Sequence, residues 1–281
     1  MRWRLDLQYE GTAFHGWAAQ PGLRTVEGVL AAALGTVLRV SADGLAVVVA
    51  GRTDAGVHAT GQVCHVDVPG DAAVAAGGPG PARRRLAGVL PEDVRVDRVV
   101  AAPPGFDARF SALRRRYRYR VCDHPAGAPP LDRHRTVVHP RRLDTGVMAR
   151  ASTGLTGLHD FAAFCRRRRT PRGTATTVRT LEEFGWRRDG DVVEASVVAD
   201  AFCHSMVRAL VGCLLAVGDG RRDEGWPGRV LAAGARDPAV TVAPARGLTL
   251  VGVDYPLDAL LGERAMQARA VRDPAGEREA G

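Results

Sequence analysis

The sequence predicts an α+β fold built on a largely antiparallel sheet. Short runs that alternate apolar and polar residues, the period of a strand with one buried face, recur along the chain. Stretches of helical period lie among them, without the regular strand–helix–strand rhythm of a parallel sheet. The 281 residues are 46% hydrophobic and 25% charged, a globular balance that excludes wholesale disorder and fits one large or two ordinary domains.

Trp3 to Tyr9 alternates and reads as an opening strand, followed by a loop over Gly11–Gly16. Thr25 is placed to cap a helix whose apolar set is Val26, Val29, Leu30, Ala33, Leu34, Val37 and Leu38. Leu45 to Ala50 is wholly apolar, as a buried strand is, and runs into the turn-rich Gly51–Gly56. Gln62 to Val68 alternates again. Residues 69–85, dense in Gly and Pro and ending in Arg83-Arg84-Arg85, predict a mobile surface loop. Val94 to Val100 is a strand, and Ala101–Gly105, with its Pro-Pro-Gly, is the expected domain boundary.

The second half repeats the mixture. Arg114 to Cys122 reads as a strand, Leu143 to Leu155 as a helix and Leu158 to Phe164 as a short amphipathic helix. Thr176 to Trp186 and Asp191 to Ala199 form an expected antiparallel pair across the Arg187–Gly190 turn. Ala201 to Val217 predicts a buried helix and Leu248 to Asp254 a closing strand. The expected organisation is an N-terminal half over 1–103, a C-terminal half over 104–256 and a frayed tail over 257–281.

The chain has no Lys, Asn or Ile, so all 39 basic residues are Arg, and the net charge is +8. Compositional bias of the coding sequence explains the missing types. It also removes lysine chemistry, from Schiff bases to phosphate-loop lysines, and leaves anion recognition to guanidinium, hydroxyl and backbone amide groups. A chain this basic favours a polyanion, nucleic acid before membrane. Five scattered Cys without a C-x-x-C pair read as reduced and buried, and eight His without metal-ligand spacing predict no metal site. No secretory leader or membrane span is expected, which points to the cytoplasm.

Four constellations carry chemistry. In Arg52-Thr53-Asp54-Ala55-Gly56-Val57-His58 a carboxylate sits in a tight loop directly after a buried strand. It is either an Asx-type turn residue or, with Arg52 nearby to keep it ionised and glycines that let a ligand approach, a nucleophile. In Arg114 to Arg120, strand alternation puts Arg114, Arg116, Arg118 and Arg120 on one face and Arg115, Tyr117 and Tyr119 on the other. That is a salt-bridged solvated face, or one that neutralises phosphates while a tyrosine stacks on a base. Arg208 is a single charge in an apolar helix; it reaches solvent or a structural partner, or it meets Asp54. Arg166-Arg167-Arg168-Arg169 is a solvated loop or a phosphate contact.

Ala50 to Ala59 with Gly61-Gln62-Val63 resembles the signature of the tRNA pseudouridine synthase A family. The likeness continues, in the family's order, through Leu7–Thr12, Phe14–Trp17, Phe106–Ala112, Arg116–Tyr119, His159–Phe161 and Phe202–Arg208, covering roughly residues 3–256. The chain departs from the family pattern at Ala18, Val89 and Ser205, where Gln, Asn and a second His are usual. The resemblance implies the pseudouridine synthase fold, two α+β halves sharing a sheet with a central cleft. It implies an isomerase that converts uridine to pseudouridine at positions 38–40 of the tRNA anticodon arm, as a homodimer, with no cofactor or metal. Asp54 would be the nucleophile, Arg52 would pair with it and help extrude the nucleotide, Arg208 would be its other partner, and Tyr117 would contact the uracil. Arg109, Arg114, Arg116, Arg166, Arg167 and Arg168 would meet the RNA. A non-catalytic Arg-rich RNA-binding protein on the same scaffold is the alternative; a hydrolase lacks a second carboxylate at suitable spacing.

Overall fold

The computed structural model describes residues 1–166, 169–170, 173–174 and 176–270. The chain forms two compact units, Met1–Leu113 with the segment from Val251 onward, and Arg114–Leu250. The break therefore falls eight residues beyond the Pro-Pro-Gly stretch.

In the first unit, strand β1 (Arg2–Tyr9) buries Trp3, Leu5, Leu7 and Tyr9 on one face and leaves Arg4, Asp6 and Gln8 on the other. Helix α1 (Val26–Leu38) begins where Thr25 accepts from the Gly28 N–H and ends at Arg39 in the left-handed region, φ 58°. β2 (Val47–Val49) pairs antiparallel with β3 (His58–Asp67), and β1 lies antiparallel between β3 and β4 (Val94–Ala101).

Residues 69–85 are not a loop. They form α2 (Gly70–Ala75) and most of α3 (Pro79–Val89), in which Ala82 and Leu86 are fully buried. The Gly and Pro residues that suggested a loop stand at helix ends: Gly77 and Gly78 take positive φ between the helices, and Pro79 occupies a first-turn position where its missing N–H costs nothing. α3 packs on α1 and β4.

The second unit opens with β5 (Arg114–Cys122), which lies antiparallel to a later strand and parallel to the short β6 (Val137–Val138). Helix α4 (Thr145–Thr153) starts at Asp144, whose carboxylate accepts from the Gly146 and Val147 N–H groups. The helix expected over 158–164 is replaced by β7 (Gly157–Asp160) and one 3-10 turn at Ala162–Phe164. Pairing of 157–160 with a neighbouring strand outweighs the local helical pattern there. After the short pair β8 (Arg169–Thr170) and β9 (Gly173–Thr174) come β10 (Val178–Asp189) and β11 (Val192–Ala199), giving the order β5-β11-β10-β7.

Helix α5 (Met206–Gly218) starts five residues later than Ala201, after Ser205 at φ 62°, and buries twelve of its thirteen residues. The short α6 (Trp226–Ala233) follows. Cys165 and Cys203 are joined in a disulfide, Cα atoms 5.7 Å apart, which corrects the reading of all five cysteines as reduced. Their separation of 38 residues gives no spacing signal. Cys64, Cys122 and Cys213 are free and buried.

β12 (Leu248–Asp254) carries the chain back to the first unit, where residues 261–270 are not frayed but form α7 (Leu261–Ala270). Leu261 joins Ala50, Val63, Phe106 and Ala108 in a buried cluster, its carbonyl accepts from Ser111 Oγ at 3.0 Å, and Arg269 bonds Asp107 at 2.8 Å. The helix is held by this docking, since only part of one face is apolar. Among the described residues no helix is long and apolar enough to cross a membrane.

Candidate active site

The first unit presents the Asp54 loop. Strand β2 is wholly apolar and buried at both ends, and the chain emerges from it at Ala50, whose N–H returns to the Val63 carbonyl at 2.9 Å. Asp54 lies half-buried in the loop that follows, its carbonyl accepting from the Val57 N–H at 3.2 Å, and Gly56 takes the positive φ the turn needs.

A second segment, 11–17, clamps this loop from outside. Trp17 N–H donates to the Thr53 carbonyl at 3.0 Å, and Gly56 N–H donates to the Phe14 carbonyl at 3.2 Å. The Gly11 N–H lies 2.9 Å from His58 Nδ1, which also stands 3.2 Å from the Glu10 carboxylate. Two glycines permit the approach. A Cβ on Gly16, itself at φ 97°, would stand 2.9 Å from the Thr53 carbonyl oxygen, and one on Gly11 would overlap the Val57 carbonyl. The motif residues at 11–16 and 50–58, which the sequence reading placed in two loops, thus form one double-layered turn.

Arg52 is exposed and makes no ion pair among the described residues, so its expected pairing with Asp54 is not formed. Arg109 is also exposed, stacked over the Phe110 ring at 5.2 Å.

The second unit holds Tyr117 and Arg208. Along β5 the alternation is as the sequence predicts: Arg115, Tyr117, Tyr119 and Val121 are buried, while Arg114, Arg116 and Arg118 are exposed. Tyr117 meets Phe202 edge-on, ring centroids 5.1 Å apart. Its neighbours on that face are fastened, Arg115 to the Asp200 carbonyl at 2.7 Å and the Tyr119 hydroxyl to the Pro244 carbonyl at 2.8 Å. Burial pushes the Tyr119 phenol well up, against the smaller opposing pull of the Arg208 and Arg246 guanidiniums. Arg208, in the first turn of α5 and half-buried, donates through Nε to the Ala243 carbonyl at 2.7 Å.

On the outer face of β5, acids meet several of the arginines. Arg114 pairs with Glu182 at 2.8 Å, Arg118 and Arg120 reach Glu194 at 3.5 and 3.6 Å, and Arg120 also reaches Asp132 at 3.4 Å. Arg116 is exposed between them. Arg166 is exposed, its backbone N–H on the His204 carbonyl. Arg167 and Arg168 lie outside the described residues. Among the described residues no three His, Cys, Asp or Glu side chains gather as metal ligands.

The loop can present a carboxylate on a fixed backbone at the end of a buried strand, the requirement for a positioned nucleophile. Comparison with known proteins gives this geometry a context. A family model described as tRNA pseudouridine synthase matches residues 151–256. The chain is 59% identical to the tRNA pseudouridine synthase A of Frankia casuarinae over 275 residues, covering 98% of this chain and 96% of that protein. It is 54% identical to the protein of that name from Streptomyces griseus, covering 97% and 94% of the two chains, and 53% to that of Corynebacterium glutamicum, covering 97% and 96%.

Proposed function

The chain belongs to the tRNA pseudouridine synthase A family, and from that premise we propose how it isomerises uridine to pseudouridine in tRNA: Asp54 is the nucleophile, and the target lies in the anticodon stem-loop at positions 38–40. The observation that carries this reading is the Asp54 loop, a half-buried carboxylate on a turn clamped by backbone hydrogen bonds from residues 11–17.

The reaction breaks the bond from ribose to uracil nitrogen, turns the base and rejoins it through uracil carbon 5, which gives up its proton. The base must first leave its stack, at a cost of a few kcal/mol that pocket contacts offset. Arg52, exposed and without an ion pair among the described residues, is suited to hold the extruded strand by a phosphate or a vacated base position. Tyr117 contacts the uracil, and Arg208 serves as the cationic partner of Asp54. Arg109, Arg116 and the run from Arg166 contribute phosphate contacts. The enzyme acts as a homodimer in the cytoplasm.

The test is release of tritium from tRNA labelled at uracil carbon 5. The native protein releases label; Asp54→Asn binds the same tRNA and releases none above background. Equal release by both proteins removes Asp54 from the nucleophile role. No release by either points to an RNA-binding protein without turnover.

A further inference from the structure

Behind the Asp54 loop lies a group of polar side chains buried in the first unit. Gln62 is fully buried and Tyr9 nearly so, and Thr53 is buried as well. The Gln62 amide nitrogen donates to the Gly51 carbonyl at 2.9 Å and to the Tyr9 hydroxyl oxygen at 3.1 Å; its Oε1 accepts from the Val63 N–H. The Tyr9 hydroxyl lies 2.8 Å from Thr53 Oγ1.

At its Gln62 end the direction of this chain is set by chemistry. Gly51 offers only a carbonyl, so the amide nitrogen must face it, and the second amide N–H then meets the Tyr9 oxygen. With that oxygen accepting from Gln62, the Tyr9 hydroxyl meets Thr53 Oγ1 in a bond that either hydroxyl can donate. Burial pushes the Tyr9 phenol up to about 12, outweighing the opposite effect of its bonds to Thr53 and Gln62, so the hydroxyl keeps its hydrogen throughout the neutral range.

Its end points are the residues three and one before Asp54. Thr53 is held twice, through its hydroxyl by Tyr9 and through its carbonyl by Trp17 N–H, and the Trp17 ring stands 6.0 Å from that of Tyr9. The placement depends on an irregularity in the β1–β3 ladder. Leu7 faces Gln62 but Tyr9 faces Ala59, so β3 carries one extra residue at this point. Such a bulge re-aims side chains, here bringing the Tyr9 hydroxyl and the Gln62 amide onto the loop. A purely structural core at this place is satisfied by apolar side chains; three mutually satisfied polar groups ending on one loop specify that loop's position.

We propose that Tyr9, Gln62 and Thr53 are positioning residues that set the Asp54 carboxylate through a buried hydrogen-bond chain. The inference rests on the proposed role of Asp54. None of the three need touch substrate; their effect passes through the backbone of residues 51–54.

The experiment compares Tyr9→Phe, Thr53→Val and Thr53→Ser with the native protein in the tritium-release assay, with kcat and KM measured separately and tRNA Kd measured by filter binding. Phe keeps the ring and loses one oxygen; Val keeps the shape of Thr without its hydroxyl; Ser keeps the hydroxyl. Tyr9→Phe and Thr53→Val are expected to lower kcat about tenfold, the scale of one net hydrogen bond, with KM and Kd within twofold of native. Thr53→Ser is expected to recover most of what Thr53→Val loses. A loss seen in KM alone, native kcat in both Tyr9→Phe and Thr53→Val, or Thr53→Ser as damaging as Thr53→Val overturns the proposal. If Tyr9→Phe does not fold, the Val and Ser pair decides. A native protein that releases no label instead overturns the reading of Asp54, so the two failures are told apart.

Discussion

The two units fix their polar centres by different means. In the first, the Asp54 turn is fixed by backbone amides, carbonyls, hydroxyls and an amide side chain. In the second, the conspicuous polar knot is ionic. The Asp123 side chain is fully buried and receives Arg142 Nη1 at 2.9 Å, Arg188 Nη1 at 2.9 Å and Nη2 at 2.7 Å, and the Leu143 N–H at 2.9 Å. Neutral hydrogen bonds are short-ranged, directional and nearly indifferent to salt, which suits a turn that must hold an atom in place. Charged contacts respond to pH and, where they are exposed as on the outer face of β5, to ionic strength. The contrast sets directional neutral bonds around the Asp54 turn against ionic contacts around Asp123 and on the outer face of β5.

The sharpest way to break the contrast is to disturb the neutral clamp without touching a charge. Gly16→Ala places a Cβ against the Thr53 carbonyl and asks alanine to hold φ 97°, so the 11–17 segment must shift off the Asp54 turn. Displacing a reacting group by about 1 Å costs on the order of 100-fold in rate. We expect kcat to fall by about that factor while tRNA Kd changes less than threefold. Native kcat in this variant removes the clamp from the account of catalysis.

The ionic knot predicts a smaller effect with a definite pH signature. Burial alone would raise the Asp123 carboxyl; the Arg188 and Leu143 hydrogen bonds and the two guanidiniums more than reverse that and hold it below the usual carboxylate range. A depressed carboxylate contributes stability that is complete above its ordinary pKa, about 3.9, and is lost as pH falls through its lower folded value. Asp123→Asn is therefore expected to cost about 2 kcal/mol at pH 7, the scale of hydrogen bonds to a charged group. In thermal unfolding the gap to the native protein should narrow below about pH 4. A gap independent of pH would assign the loss to packing.

Much of this was open to reading from residues alone, and the limits are physical. The period-2 alternation of Arg114 to Cys122 separated Arg115, Tyr117 and Tyr119 on one face from Arg114, Arg116 and Arg118 on the other because both faces of that strand obey one rule. Thr25 marked the start of α1 because a capping hydroxyl acts within three residues. Signals of that range failed where distant chain decided the outcome. The Gly and Pro residues of 69–85 were read as breakers, and only the burial of Ala82 and Leu86 reveals them as helix ends. The stretch at 157–160 became a strand through pairing with 178–181. For the candidate site, the Asp54 loop stood out as a motif. Its support did not, because Tyr9 is 44 residues from Thr53 and 53 from Gln62, and no periodicity foretells a bulge.

The smallest expected effect tests the charged side of the contrast where it is weakest, on the outer face of β5. Glu194, largely buried, draws on both Arg118 and Arg120, so two guanidiniums that face outward are partly neutralised by the sheet itself. Glu194→Gln keeps the shape and removes the charge. If this face meets RNA, the released guanidiniums gain a phosphate contact: Kd for tRNA should tighten about two- to threefold, and the log–log salt dependence should steepen by about one. Arg120 keeps Asp132 in the variant, which limits the gain and makes Arg118 its main source. Unchanged affinity and salt slope would mean that these arginines belong to a solvated, self-paired surface, and that the adjustable charge of this unit lies with Arg116 and Arg166 instead.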